Sequence, residues 1–222
     1  MNLTFTTDVS LAPRQFTIRP ELTATGNDIH VRAHPDLGIF DILDASGARI
    51  GLLMGFPIDL QDRCVLSGPL TVAIPASSEI DAAAEAILDR LGGRFLLLLT
   101  LSGESRVYPD CAAQVPCVYS PEKGMAGSTA DAILSDADYE TLFRHDLYAA
   151  LDIENDGWFP GGLTAHEGIE RLLPNHVLDL RDWSQRRYWP LGDIARTSSP
   201  ESSLEEISRI IRIQLEALLN GP

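Results

Sequence analysis

The chain has 222 residues, 45% hydrophobic and 22% charged, enough apolar material for one packed domain with at most a short extension. A formal net charge of -15 with no Lys/Arg cluster would repel a phosphate backbone, which excludes a nucleic-acid-binding protein. The longest apolar run, residues 95–101, is interrupted by Thr100 and falls far short of the ~18 residues of a membrane span.

The opening MNLTFTTDVS has neither the basic nor the apolar region of a secretion signal. Cys64, Cys111 and Cys117 are too few, and odd in number, for a disulfide framework, and the spacing of the last two suits neither a redox pair nor a zinc ribbon. A cytoplasmic protein with reduced thiols, touching neither membrane nor nucleic acid, is the expectation.

The first part reads as strands at residues 16–18, 28–33, 38–43 and 49–57, parted by turn signals such as Thr25-Gly26-Asn27 and Ala45-Ser46-Gly47. Residues 63–73 add a further strand pair, with Ser67-Gly68-Pro69 as its turn. Ser77-Ser78-Glu79 then leads into Ile80, Ala83, Ala84, Ile87, Leu88 and Leu91, a helical stripe headed by a capping serine and ended by Gly92-Gly93. Residues 95–101 form a buried strand turning at Ser102-Gly103-Glu104 into a partner at 105–108, and short strands follow at 117–120 and 125–128. Helical patterns cover 129–134 and 137–151.

The tail differs. Residues 157–163 make a Gly-rich loop with Trp158, and 176–180 with 187–189 bracket Asp182-Trp183-Ser184-Gln185 as a hairpin. After a linker at 197–200, residues 201–219 form an amphipathic helix whose apolar set includes Leu204, Ile207, Ile211, Leu215 and Leu218. Strands interleaved with helices at fixed points argue for an α+β layered fold.

Two segments carry a resemblance. Residues 91–134 contain Gly93-Arg94-Phe95, Tyr108-Pro109-Asp110, Pro116-Cys117-Val118-Tyr119 and Gly127-Ser128-Thr129, in an order similar to the back half of the glutaminase domain of asparagine-synthetase-type class II amidotransferases. Residues 163–190 resemble the connector from that domain to the synthetase domain. Thr164, Gly168, Ile169, Leu172, Pro174, His176, Leu178, Arg187, Tyr188 and Trp189 fall in step across 26 residues, which makes this the more specific match. Together the segments cover about a third of the chain.

The resemblance implies an N-terminal-nucleophile (Ntn) hydrolase-like, four-layer αββα sandwich of two antiparallel sheets, with a C-terminal connector hairpin and helix. It divides the chain into a degenerate glutaminase-like domain (1–155), an interdomain connector (156–200) and the first helix of an otherwise absent synthetase domain (201–222). ATP and Mg are expected only with that domain, and no cofactor or metal with this chain. The nucleophile of such glutaminases is an N-terminal cysteine exposed after Met removal, whose amine shuttles the proton. Position 2 here is Asn2, and a carboxamide nitrogen, delocalised into its carbonyl, cannot replace it. The loops that would hold glutamine are also missing; His34-Pro35-Asp36, Ser67-Gly68-Pro69 and Ala76-Ser77-Ser78 are the nearest stand-ins.

The expectation is therefore no catalytic residue, a vacated nucleophile position at Asn2, and site-lining or turn-ordering roles for Asp110 and Ser128. Asp110 would order its turn by accepting backbone amides. Trp158, His176, Tyr188 and Trp189 are the expected interface, toward a synthetase domain or another protein or peptide, with a homodimer through the last helix left open. A half-buried Cys111 reads as inert rather than as a displaced nucleophile. His30, His34 and Asp36 share a strand face, a poor scaffold for a metal. The function expected is a non-catalytic glutaminase-like scaffold of an asparagine synthase-related, ATP-dependent amide-forming protein, and this chain alone is not expected to be an enzyme. The alternatives are a free-standing protein- or peptide-binding module and an amidohydrolase with a displaced nucleophile.

Overall fold

In the computed structural model, residues 3–6, 22–24, 29–34, 36–75, 78–192 and 199–221 are described. Their strands form two sheets. The smaller contains β1 (Leu3–Thr6), β2 (Leu22–Ala24), β3 (Ile29–Ala33), β10 (Val118–Ser120), β11 (Met125–Gly127) and β12 (Glu170–Arg171). Their spatial order is β12-β10-β11-β1-β3-β2, antiparallel throughout.

The larger sheet contains β4 (Ile39–Leu43), β5 (Arg49–Asp59), β6 (Cys64–Val65), β7 (Leu70–Thr71), β8 (Leu91–Leu101), β9 (Glu104–Pro109), β13 (His176–Asp179) and β14 (Ser184–Arg187). Its order is β14-β13-β9-β8-β5-β4-β7, with β6 paired to β5. This sheet is mixed, which corrects the expectation of two antiparallel sheets. Both β4 and β6 lie antiparallel to β5, and Ser67-Gly68-Pro69 does not reverse the chain. β7 therefore keeps the direction of β6 and runs parallel to β4, with Ile42 opposite Leu70.

Side chains alternate along each strand, so a strand buried on both faces contributes to two cores. Leu96 and Leu98 of β8 face inward with Leu52 and Met54 of β5, meeting Ile29, Val31, Tyr119 and Ala126 of the smaller sheet. Phe95, Leu97 and Leu99 point the other way, onto helix α1 (Ile80–Leu88). α1 covers them with Ile80, Ala83, Ala84 and Ile87, all 3% exposed or less. Burying each isoleucine contributes roughly 2 kcal/mol. On the outside of the smaller sheet, Val118 and Met125 lie under Ile133, Leu134 and Ile169. The layers are thus helix, sheet, sheet and a cover of short helical segments.

Several local expectations change. Ser77 lies outside the described residues; α1 begins after Glu79, with no side-chain cap. Gly92 and Gly93 do not end that helix but open β8, and Gly93 has φ +84 where a Cβ would strike the Phe56 carbonyl. The pattern at 129–134 is only a single 3-10 turn, Ala130–Ala132. The helix expected over 137–151 is two, α2 (Asp136–Thr141), capped by Ser135, and α3 (His145–Ala150). It breaks because the backbone there pairs elsewhere: Glu167 N–H donates to Leu142 and Arg144 N–H to Ala165, around a Phe143–His166 bridge. A short α4 (Ile153–Asp156) follows. The strand expected at 16–18 lies outside the described residues.

The tail hairpin is present as β13–β14 and extends the larger sheet by pairing with β9. Leu178, Leu180 and Trp183 join the core between the sheets. Helix α5 (Pro200–Asn220) is capped by Ser199, which accepts from the Ser202 N–H at 3.1 Å. It buries only Ile213 and Ala217. No helix among the described residues is long and apolar enough to cross a membrane.

Candidate functional site

The expected site residues do not all converge. Asn2 lies outside the described residues. Ser128 is buried and follows Gly127, which pairs with Thr4, so it sits at the end of β11 beside the start of β1. Trp158 is 61% exposed in the loop after α4. The His176 ring turns back on its own segment, 2.9 Å from the Pro174 carbonyl.

Asp110, Tyr188 and Trp189 do come together, in a cleft of about 430 Å³ on the α1 side of the larger sheet. Its floor is the start of β8, and its walls are α1, the turn after β9, the end of the β13–β14 hairpin and α5. Gly92 lets α5 approach this closely: a Cβ there would lie 3.0 Å from Gln214 and 3.1 Å from Leu60.

Asp110, 2% exposed, holds its turn from the inside. Its carboxylate accepts the N–H groups of Phe95, Ala112 and Gln114 at 3.0–3.3 Å, and that of Val115 at 3.4 Å. Four backbone donors spread its charge, and it binds no cation of the protein among the described residues. Next to it, Cys111 is exposed and lines the same cleft. Cys117 is buried, and burial pushes its thiol up to about 12, so it stays a neutral core group.

Tyr188 is fixed by an edge-on contact with Tyr108, ring centres 5.3 Å apart. Its hydroxyl is pushed up to about 12, first by burial and then by neighbours that include the Glu85, Asp110 and Asp89 carboxylates. The residues lining the cleft include no Lys, Arg or His. Among its described lining residues no histidine stands beside Cys111 and no cationic side chain faces Glu85, Asp89 and Asp110, so the cleft is negative in character.

Composition hid Glu85 and Asp89. They stand in one row with Asp81 along α1, four residues apart each time. Asp81 is compensated: it accepts from the Tyr108 hydroxyl at 2.6 Å and from Arg106 at 2.7 Å, and pairs with Arg186. Burial alone would raise its pKa, but these three partners hold it below the usual carboxylate range. Among the described residues, Glu85 and Asp89 have no such partners. The missing basic residue in the last turn of α1 was the legible signal.

Among the described residues, no three His, Cys, Asp or Glu side chains gather as a metal set; His34 pairs locally with Asp36 at 3.5 Å. Compared with known proteins, the chain matches no family model, and no curated protein matches it.

Proposed function

We propose that this chain is a non-catalytic glutaminase-like domain of an asparagine synthase-related, ATP-dependent amide-forming protein, acting as a scaffold for substrate or partner. The observation that carries this reading is how the connector-like residues are used. The Thr164 hydroxyl donates to the Ile169 carbonyl at 2.7 Å, Gly168 has φ +71, and Ile169, Leu172 and Leu178 are buried. A turn residue, a left-handed glycine and core positions cannot change spacing freely, so agreement at all of them is harder to reach by accident. The order helix, sheet, sheet, helical cover is also the one an αββα sandwich of the Ntn type would give.

Asn2 in place of the cysteine leaves such a domain without its nucleophile, and Cys111 has no histidine or lysine beside it among the described residues of the cleft. Holding, not turning over, is the remaining role. The test is glutamate release from glutamine by the purified chain, with and without ATP. No release above a heat-inactivated control is expected. Release that survives repurification and disappears in Cys111→Ala would overturn the reading and establish a displaced nucleophile.

A second reading, a free-standing protein- or peptide-binding module, is favoured by the aliphatic row left exposed on α5. The two part on what binds there. A partner that adenylates a carboxylate supports the scaffold; a partner without that activity supports the module.

A further inference from the structure

The row of acids on α1 is compensated at one end only. Asp81 has two arginines and a tyrosine hydroxyl, whereas the carboxylates of Glu85 and Asp89 make no hydrogen bond or ion pair among the described residues. Two like charges four residues apart repel, and at the C-terminal end of a helix they also oppose the negative pole of the macrodipole. Neither residue is buried or contributes to the core, so stability gives no reason for them. Both line the cleft that Tyr188 and Trp189 wall from the other side.

We propose that this cleft is a binding site for an organic cation, an alkylammonium or guanidinium group carried on an apolar arm. The carboxylates of Glu85 and Asp89 supply the counter-charge. The rings of Tyr188 and Trp189 supply the π faces on which a cation rests, an attraction that strengthens as the cleft closes off water. Trp189 is 47% exposed, so its ring is available rather than packed away. Leu88 and Ile210 supply an apolar lining for the arm. A volume of about 430 Å³ is in the range that takes a small molecule or a single long basic side chain with its flanking backbone. An anion would meet the Glu85 and Asp89 carboxylates and no cationic side chain among the described lining residues, so its exclusion is as much a part of the site as the attraction.

The inference stands apart from the family reading: glutamate release tests that one and leaves this one untouched. The experiment is calorimetric titration of the full chain at 150 mM salt. The probes are N-acetyl-arginine amide and N-acetyl-lysine amide as free cations, an acetyl-Gly-Arg-Gly amide as the peptide-borne form, and N-acetyl-norleucine amide as the neutral control. Saturable binding of the cations but not of the norleucine compound is expected. Stronger binding of the tripeptide than of the single residues would assign the site to peptides; the reverse would assign it to free amines. The paired variant Glu85→Gln/Asp89→Asn and, separately, Trp189→Ala should each weaken binding roughly tenfold. Both sites of change are exposed or half-exposed, and the control variant Glu104→Gln on the far turn should bind as the parent does. Absence of saturable binding, or equal binding by parent and cleft variants, would overturn the proposal, the second by revealing general attraction to a chain of net charge -15.

Discussion

Helices α1 and α5 both carry an apolar stripe at helical spacing, and the protein uses them in opposite ways. α1 hides Ile80, Ala83, Ala84 and Ile87 on the larger sheet, down to 0% exposure for Ala84 and Ile87, and leaves only Leu88 partly open. α5 rests on the body by one narrow edge, Ile213 and Ala217, while Leu204, Ile207, Ile211, Leu215 and Leu218 stay about half exposed or more. Periodicity declares that a helix has an apolar face; it does not say whether the chain itself will cover that face. α1 belongs to the core, and α5 presents a surface.

The sharpest test sets one isoleucine from each helix against the other. Ile87→Ala, at a site that cannot collapse between helix and sheet, should cost about 4 kcal/mol, measured as a shift in the urea midpoint. Ile213→Ala should cost about 1.5 kcal/mol, because α5 can resettle over the gap. Equal losses would make α5 as much a part of the core as α1.

Ion pairs repeat the contrast. Arg90, just beyond α1, bonds Asp59 at the end of β5 with contacts of 2.5–3.1 Å, and Asp59 is 1% exposed. Arg90→Ala leaves that buried carboxylate its backbone donors from Gln61 and Asp62 but no cation, and should cost about 3 kcal/mol at neutral pH. Burial by itself would raise the Asp59 pKa, but the Arg90 bonds together with the Asp62 and Gln61 N–H groups outweigh it and hold it below its ordinary 3.8. The stabilisation is therefore complete above about pH 4 and lost as pH falls through the lower folded value, so parent and variant should converge in acid. On α5 the Glu206–Arg209 pair lies in open solvent, and Arg209→Ala should leave the midpoint unchanged.

The smallest effect on stability belongs to the exposed stripe. Ile207→Glu with Ile211→Glu should leave the urea midpoint within about 0.5 kcal/mol of the parent. The same change should abolish any self-association seen by sedimentation, or any retention of a partner. A large loss of stability would mean that α5 buries this face on its own body.

Much of the local structure was legible. Alternation from residue 38 to residue 57, the Ser102-Gly103-Glu104 turn and the long last helix are where periodicity and turn chemistry put them, and the tail hairpin exists with its second strand at Ser184–Arg187, three residues earlier than the expected 187–189. Asp110 was readable as a turn residue because an aspartate after a strand has backbone donors within reach. Pairings set from a distance were not legible. The parallel β4–β7 contact depends on a segment that fails to reverse, and the break between α2 and α3 depends on residues 165–167. The cleft was unreadable for the same reason. Glu85 and Asp89 look like a solvated helix face until Tyr188, Trp189 and Gln214 arrive from later in the chain.

The place of β1 has a consequence for synthesis. It lies inside the smaller sheet, between β3 and β11, with Thr4 opposite Gly127. β5, β8 and β9 pair among themselves and can close soon after they are made, whereas β1 must wait for β11 to leave the ribosome before one of its edges is satisfied. The β5-β8-β9 part of the larger sheet is thus free to form first and offer its inner face as the template on which the smaller one is laid down.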